Sequence, residues 1–299
     1  MAKIEFKNVV KDYDGFHALD GLSIAVEPGC VYGLVGPNGA GKTTAIRHLC
    51  GVLRQDEGKV LVDGEPVYEN LSVKSRMLCV PDEVFWYTQD STRDMMKFYR
   101  GIYPAFDGEL YERLGEAFPV DEKRPMRRLS RGMQKQSAIR LALASRPEVL
   151  VLDEPMDGLD PVMRRQVWSL ILGDLAERGT TVLVSSHNLR ELEDVCDHVG
   201  ILHKGRCLLQ RSLNELQENL VKVLLALPDG TDLPAGLETL HRSKLGHLHT
   251  LILRGSAREA EERLAGLMPL YMDVVPLTLE EIFIYELGGE DYAVKDILL

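Results

Sequence analysis

The chain has 299 residues, 45% of them apolar and 27% charged, an ordinary soluble globular balance able to bury a full core. Its net charge of −11 argues against a nucleic-acid partner held by phosphate neutralisation, and no apolar run approaches the ~20 residues needed to span a bilayer. The charge is uneven: Leu213 to Leu299 holds 7 Lys/Arg against 15 Asp/Glu. Cys30, Cys50, Cys79, Cys196 and Cys207 form no Cys-x-x-Cys pair and read as reduced thiols, which points to a reducing compartment. The N-terminus carries no signal-peptide pattern and begins with a strand-like alternation over Lys3 to Val9.

A turn at Lys11 to Gly15 leads to a second strand, Ala18 to Val26, and Glu27-Pro28-Gly29 turns the chain into the apolar run Val31 to Val35. That run breaks into Gly36-Pro37-Asn38-Gly39-Ala40-Gly41-Lys42-Thr43-Thr44, which matches the pattern Gly, four residues, Gly-Lys-Thr. Glycines let the backbone wrap a polyphosphate with N–H groups pointing inward, and the helix opening at Lys42-Thr43 adds its positive end. Lys42 can reach β- and γ-phosphates, and the Thr43 hydroxyl can ligate Mg²⁺. Tyr13, about twenty residues upstream on the turn between two strands, reads either as an adenine-stacking ring or as a locally packed turn tyrosine.

The helix continues to Leu53; Gly58 to Gly64 reads as a short strand and turn, and Arg76 to Val80 as a strand stopped by Pro81. The segment Asp82 to Tyr87 is a loop with three aromatics, Phe85, Trp86 and Tyr87. From 92 to 144 the pattern becomes helical, over Thr92 to Tyr103, Glu109 to Phe118 and Met133 to Ala144, and reads as an insertion between sheet elements. Val149 to Leu152 is a buried parallel strand ending in Asp153-Glu154. Two acids at the end of an apolar strand need a cation, or else they cap the next helix. Asp153 is placed to hold Mg²⁺ and Glu154 to polarise the water that attacks a γ-phosphate. A helix runs from Pro161 to Arg178, a strand from Thr181 to Val184 ends in Ser185-Ser186-His187, and a helix is expected over Leu189 to Cys196. His187 is either structural or a γ-phosphate contact. His198 to Leu202 and Cys207 to Gln210 flank a Lys204-Gly205 turn as a hairpin.

With these parts in order, roughly the first 212 residues resemble an ATP-binding cassette ATPase, a phosphate-loop NTPase of α/β fold with a helical insertion at about 92–145. The telling stretch is Leu129-Ser130-Arg131-Gly132-Met133-Gln134, which resembles the family's signature sequence. In that family two nucleotide domains pack head to tail, each signature closing over the other's ATP. The resemblance implies that Ser130 and Gly132 donate to the γ-phosphate held by the partner's Lys42. It also implies that Tyr13 stacks on adenine, Asp153 serves Mg²⁺, Glu154 the water, His187 the γ-phosphate, and that Asp160 works across the dimer interface. By itself, Ser130 also reads as an ordinary helix N-cap. Two departures stand out. Arg131 and Met133 replace a glycine and a glutamine of the signature, and Asp82 replaces a metal-ligating glutamine. A carboxylate can ligate Mg²⁺ but cannot donate as an amide does.

The resemblance implies the ATP-hydrolysing subunit of a transporter, binding ATP and releasing ADP as a homodimer or heterodimer. It would sit on the cytoplasmic membrane face through a separate, export-type permease, reached through the loop Asp82 to Tyr87 and the helical insertion. The rival is a soluble cassette ATPase acting on nucleic acid or ribosomes, disfavoured by the acidic charge, the single phosphate loop and the lack of an internal coiled coil. Residues 213–299 are expected to form a small α+β appendage, with strands at Lys222 to Leu227, Thr250 to Leu253 and Met272 to Val275 and helices at Ala257 to Leu267 and Leu279 to Leu287. Packing, dimerisation or regulation is its expected role. His247 and His249 would share a strand face, and His241 completes the set of tail histidines, without a convincing set of partner ligands.

Overall fold

The computed structural model describes residues 2–84, 89–218, 220–228, 231, 233, 237 and 239–287. It divides into two compact units, one of Met1–Asn188 with Val195–Gln210, the other of Leu189–Asp194 with Arg211–Leu299.

In the first unit, β1 (Ile4–Tyr13) and β2 (Phe16–Val26) pair antiparallel, and β3 (Val31–Val35) runs into α1 (Lys42–Leu49). β4 (Glu57–Val62) and β5 (Glu65–Pro66) complete a four-stranded antiparallel sheet of order β2-β1-β4-β5. After a short α2 (Leu71–Lys74) and β6 (Met77–Val80), the chain enters the helices α3 (Thr92–Ile102), α4 (Gly108–Ala117) and α5 (Arg131–Ala144). It returns through β7 (Val149–Asp153), α6 (Pro161–Arg178) and β8 (Thr181–Ser186). The second unit takes in α7 (Arg190–Glu193), after which β9 (His198–His203) and β10 (Arg206–Ser212) finish the second sheet, of order β10-β9-β3-β8-β7-β6.

The apolar runs of β3, β7 and β8 are buried at every position, as parallel strands covered on both faces must be. Ile4, Phe6 and Leu22 of the antiparallel sheet pack with Leu34, Ile46, Leu49 and Val151 in one core cluster. A separate cluster of Met95, Tyr111, Met126, Leu129 and Leu141 holds the helical insertion together. Each inserted helix starts on a side-chain cap: Ser91 with a reciprocal Asp94 box, Asp107 for α4 and Ser130 for α5. Asp160 caps α6, Pro161 fills its first turn, and left-handed Gly179 ends it.

Register decides where chemistry can gather. β3 pairs parallel with β8, Leu34 opposite Ser185 and Val35 opposite Ser186, while β7 pairs with β8, Asp153 opposite Ser185. The loop after β3, the acids ending β7 and the Ser-Ser-His ending β8 therefore meet at the carboxyl edge of neighbouring strands, where open α/β sheets place their ligands.

The second unit continues through α8 (Leu213–Glu218), β11 (Leu220–Ala226), β12 (Thr239–Leu245), β13 (Leu248–Arg254), α9 (Ala257–Ala265), β14 (Tyr271–Pro276) and α10 (Leu279–Leu287). Its strands form an antiparallel sheet of order β12-β13-β11-β14, with Val223, Leu225, Leu251, Leu253, Ala260 and Leu264 in its core. The Glu193 carboxylate of α7 accepts the backbone N–H of Leu279 at 3.1 Å, and Arg190 pairs with Glu280 at 2.9 Å. Lys222 on β11 pairs with Glu281 at 2.6 Å.

Several details differ from the sequence expectation: α1 ends at Leu49 where a helix to Leu53 was expected, and β1 runs through the start of the expected turn to Tyr13. The helix expected over Leu189 to Cys196 is only Arg190–Glu193, because Asp197 turns back to β3, its N–H donating to the Val31 carbonyl and its carboxylate accepting the Val31 N–H. β12 was not expected. His247 lies in the turn before β13, so it and His249 do not share a strand face.

Candidate functional site

The loop after β3 is shaped by contacts that exclude side chains. A Cβ on Gly36 would overlap the Leu202 carbonyl oxygen, and one on Gly41, whose φ is +106°, would lie 2.7 Å from the Ala18 carbonyl oxygen. The loop is tied by Ala40 N–H to the Pro37 carbonyl at 3.1 Å and by Gly205 N–H to the Ala40 carbonyl at 2.9 Å. Lys42 is only 6% exposed, with its ammonium inside the loop. It donates to the Gly36 carbonyl at 2.6 Å and the Pro37 carbonyl at 3.3 Å, and lies 3.5 Å from the Glu154 carboxylate. A buried ammonium is tolerated only with such acceptors.

The acids answer it. Asp153 is buried, accepts the Ser185 hydroxyl at 2.5 Å and the Thr43 hydroxyl at 3.4 Å. Glu154 stands at φ 45°, a left-handed geometry uncommon for a non-glycine residue. Its N–H is held by the Ser185 hydroxyl at 3.1 Å. Its carboxylate accepts the His187 backbone N–H at 3.3 Å and lies 3.0 Å from His187 Nδ1. Lys42, Thr43, Asp153, Glu154 and His187 therefore form one connected group. Ligand-capable atoms of Glu154, Asp157 and His187 lie within 4.8 Å of one another.

Asp82 reaches this group from the side, lining a cavity of about 450 Å³ with Thr43, Arg47, Cys79 and Asp153. The hydroxyl of Thr43 and the carboxylates of Asp153 and Asp82 are the hard oxygen donors that suit Mg²⁺. The other expected residues make their contacts elsewhere. Tyr13 is 45% exposed with the Lys11 ammonium 5.3 Å from its ring centre. The Ser130 hydroxyl accepts the Met133 N–H at 3.3 Å, and the Asp160 carboxylate accepts those of Val162 and Met163 at 3.0 Å. A Cβ on Gly132 would lie 2.9 Å from the Gly158 carbonyl oxygen, so the start of α5 is packed on the loop between Glu154 and Asp160. The Thr44 carbonyl accepts the His48 Nδ1–H at 2.7 Å. Phe85, Trp86 and Tyr87 lie outside the described residues.

Three participants were not singled out in the sequence. Ser185 fixes both acids, Asp157 faces the Glu154–His187 pair, and Lys135 of α5 lies 3.7 Å from the Asp82 carboxylate. Ser185 carried a signal, since a hydroxyl on a buried strand beside an acidic strand end needs a polar partner. Lys135 carried none, being one charge among several on a helix start.

Residues 19–157 match the ABC transporter family. The chain is 32% identical over 288 residues to the ABC transporter ATP-binding protein YtrB of Bacillus subtilis (strain 168), covering 96% of this chain and 99% of that protein. It is 32% identical over 300 residues to the Nod factor export ATP-binding protein I of Burkholderia thailandensis, covering 97% and 98%. It is 34% identical over 232 residues to the daunorubicin/doxorubicin resistance ATP-binding protein DrrA of Streptomyces peucetius, covering 75% and 69%. Among solved structures, the ATP-binding subunit of an ABC transporter superposes with a TM-score of 0.66 at 25% identity, covering 72% of this chain and 91% of that one. A dimeric cassette in a post-hydrolysis state with ADP and Pi matches with a TM-score of 0.64 at 20% identity, over 70% and 98%, a likeness of fold.

Proposed function

This chain belongs to the ATP-binding subunits of ABC transporters, and from that premise we propose that two nucleotide-binding subunits close over two MgATP and drive a separate, export-type permease. The chain is an ATPase, cleaving ATP to ADP and phosphate. The observation that carries the reading of its site is the connected group in which one carboxylate, Glu154, lies against both the loop lysine and the strand-end histidine.

Lys42 and the amides of the loop 36–41 bind the triphosphate and stabilise the charge that develops on it. On meeting phosphate oxygens, the Lys42 ammonium exchanges its bonds to Gly36 and Pro37 for charge-assisted ones. Glu154 accepts the proton of the attacking water, and His187 orients that carboxylate and touches the γ-phosphate. Thr43 and Asp153, with Asp82 beside them, would hold Mg²⁺, which would neutralise charge on the phosphate oxygens. Tyr13 stacks on adenine. Ser130 and Gly132 at the start of α5 complete the opposing subunit's site, and Asp160 works across the same interface.

No helix among the described residues is long and apolar enough to cross a membrane. Relatives that are export and drug-resistance ATP-binding proteins support the direction proposed. On this reading the protein associates with the cytoplasmic membrane face through its permease. The test is purification of the full chain from detergent-solubilised membranes under MgATP. A polytopic partner, with ATPase activity lost in EDTA and restored by Mg²⁺, is expected. Recovery with RNA or DNA and no membrane protein overturns the transport reading.

A further inference from the structure

Lys135, near the start of α5, is a lysine only 4% exposed. The buried residues that follow it on that helix are mostly apolar, Ala138, Ile139, Leu141 and Ala142 among them, with Ser137 and Arg140 as the polar exceptions. A methionine would fill such a site without removing an ammonium from water, which is costly unless the acceptors around it are well placed. Those acceptors all lie on one short segment. The ammonium donates to the backbone carbonyl of Asp82 at 3.0 Å and of Pro81 at 3.4 Å, and its distance to the Asp82 carboxylate is 3.7 Å. Burial draws the lysine below its ordinary pKa, while Asp82, Asp157 and Asp153 act in the opposite sense.

The distances decide what this arrangement does. Two carbonyls lie within hydrogen-bond reach of the ammonium and the carboxylate lies outside it. The lysine therefore grips the backbone of residues 81–82 and leaves the Asp82 side chain, half exposed, turned to its surroundings. A cavity of about 490 Å³ lined by Asp82, Arg131, Gln134, Lys135, Asp157 and Gly158 joins the same three segments: the start of α5, the stretch after β6 and the loop after Glu154.

We propose that Lys135 is a positioning residue for the ATPase reaction, fixing the backbone of Pro81 and Asp82 to the start of α5 so that the Asp82 carboxylate is presented to Mg²⁺. Lys135 holds the backbone on either side of the 81–82 peptide, and the carboxylate, 3.7 Å away, keeps its oxygens for the metal; the two residues act as one unit. This rests on the reading of Asp82 as facing the metal. Loss of Lys135 loosens the segment, lowers the effective concentration of the carboxylate at the metal position and raises the Mg²⁺ concentration needed for turnover.

The experiment compares wild type with Lys135→Met, Lys135→Arg, Asp82→Asn and the double variant Lys135→Met/Asp82→Asn. Mg²⁺ half-saturation of ATPase activity, kcat and KM for ATP, and hydrogen exchange of the peptide covering 77–84 without nucleotide are measured. Lys135→Met is expected to raise the Mg²⁺ half-saturation at least threefold and lower kcat with KM changed less than threefold. It is also expected to speed exchange over 77–84. Lys135→Arg restores most of each, since it keeps the charge and the donors. Asp82→Asn also raises the half-saturation, and the double variant equals the worse single one instead of multiplying the two effects. If Asp82→Asn leaves Mg²⁺ half-saturation unchanged, the metal-facing reading of Asp82 fails. If Asp82→Asn raises it but Lys135→Met leaves it unchanged or lowers it, or the double variant multiplies the effects, the role of Lys135 is overturned while that of Asp82 stands. Unfolding of Lys135→Met does not shelter the idea, because Lys135→Arg with weakened Mg²⁺ dependence and slow exchange would show a packing role alone.

Discussion

Replacing Glu154 by glutamine isolates the proton acceptor. The side chains are isosteric, and an amide oxygen can still accept the His187 N–H now at 3.3 Å. What is lost is the ability to take a proton, along with the ion pair to Lys42 at 3.5 Å. The lysine keeps the Gly36 and Pro37 carbonyls at 2.6 and 3.3 Å, so the binding loop retains its shape. A positioned general base contributes about 10²–10⁴ in rate, or about 2.7–5.5 kcal/mol of barrier. Ground-state ATP binding should change by no more than about fivefold, roughly 1 kcal/mol, and not in the direction of weaker binding, since a negative charge beside the triphosphate is removed. Single-turnover phosphate release gives the first number, and equilibrium binding of a fluorescent ATP analogue the second. Size-exclusion chromatography in MgATP should show a dimer that persists in the variant and decays in the wild type. Phosphate release within threefold of wild type would refute the assignment of Glu154 as base. Loss of nucleotide binding in step with loss of turnover would show that the carboxylate holds the site together instead.

Gly132→Ala places a methyl 2.9 Å from the Gly158 carbonyl oxygen, which must move along with the loop that carries Asp160; about 1–3 kcal/mol of destabilisation is expected, read by urea unfolding, with reduced ATPase activity in the folded fraction. Arg140 is buried, donates to the Tyr111 carbonyl at 2.8 Å, pairs with Glu122 at 2.5 Å and lies 3.8 Å from the Tyr111 ring centre. Since Glu122 is partly exposed, Arg140→Met should cost near the lower end of a broken buried pair, about 3 kcal/mol, seen as early loss of the helical insertion in proteolysis. His48 is buried in α1 with its Nδ1 on the Thr44 carbonyl, and burial holds its pKa below the ordinary 6.5. The unfolded chain then binds the extra proton first as pH falls below 6.5, so stability should decline from there downward. His48→Gln should flatten that decline in urea midpoints compared at about pH 7.5 and about pH 5.5.

Much of this was legible in the sequence because it is carried by local rules. Glycine spacing after a β-branched run fixes the phosphate loop. Acids at the end of the run Val149 to Leu152 demand a cation, and Pro161 after Asp160 marks the start of α6 to the residue. Strands and helices of the tail were also legible, apart from β12, whose TLHRSKL has no apolar alternation and lies at a sheet edge, exposed along most of its length. What was missed depends on meetings between distant segments. Ser185 and Lys135 matter only because β8 lies beside β7 and α5 beside the end of β6. The end of the helix expected to reach Cys196 is set by the tie of Asp197 to Val31, 166 positions away in sequence.

The second unit is not a simple tail. It enlists Leu189–Asp194 from the middle of the cassette's own chain, beginning two positions after His187, and holds that stretch through Glu193 with the Leu279 amide and Arg190 with Glu280. Recombination at a single point near residue 212 could not graft or shed it cleanly. Such a cut would leave behind a hexapeptide stripped of its cover, with the buried Leu192 now wet, directly downstream of a residue assigned to the reaction. The two parts are therefore expected to be inherited together, and a shortened chain is expected to need replacement residues in 189–194 before it can turn over ATP normally.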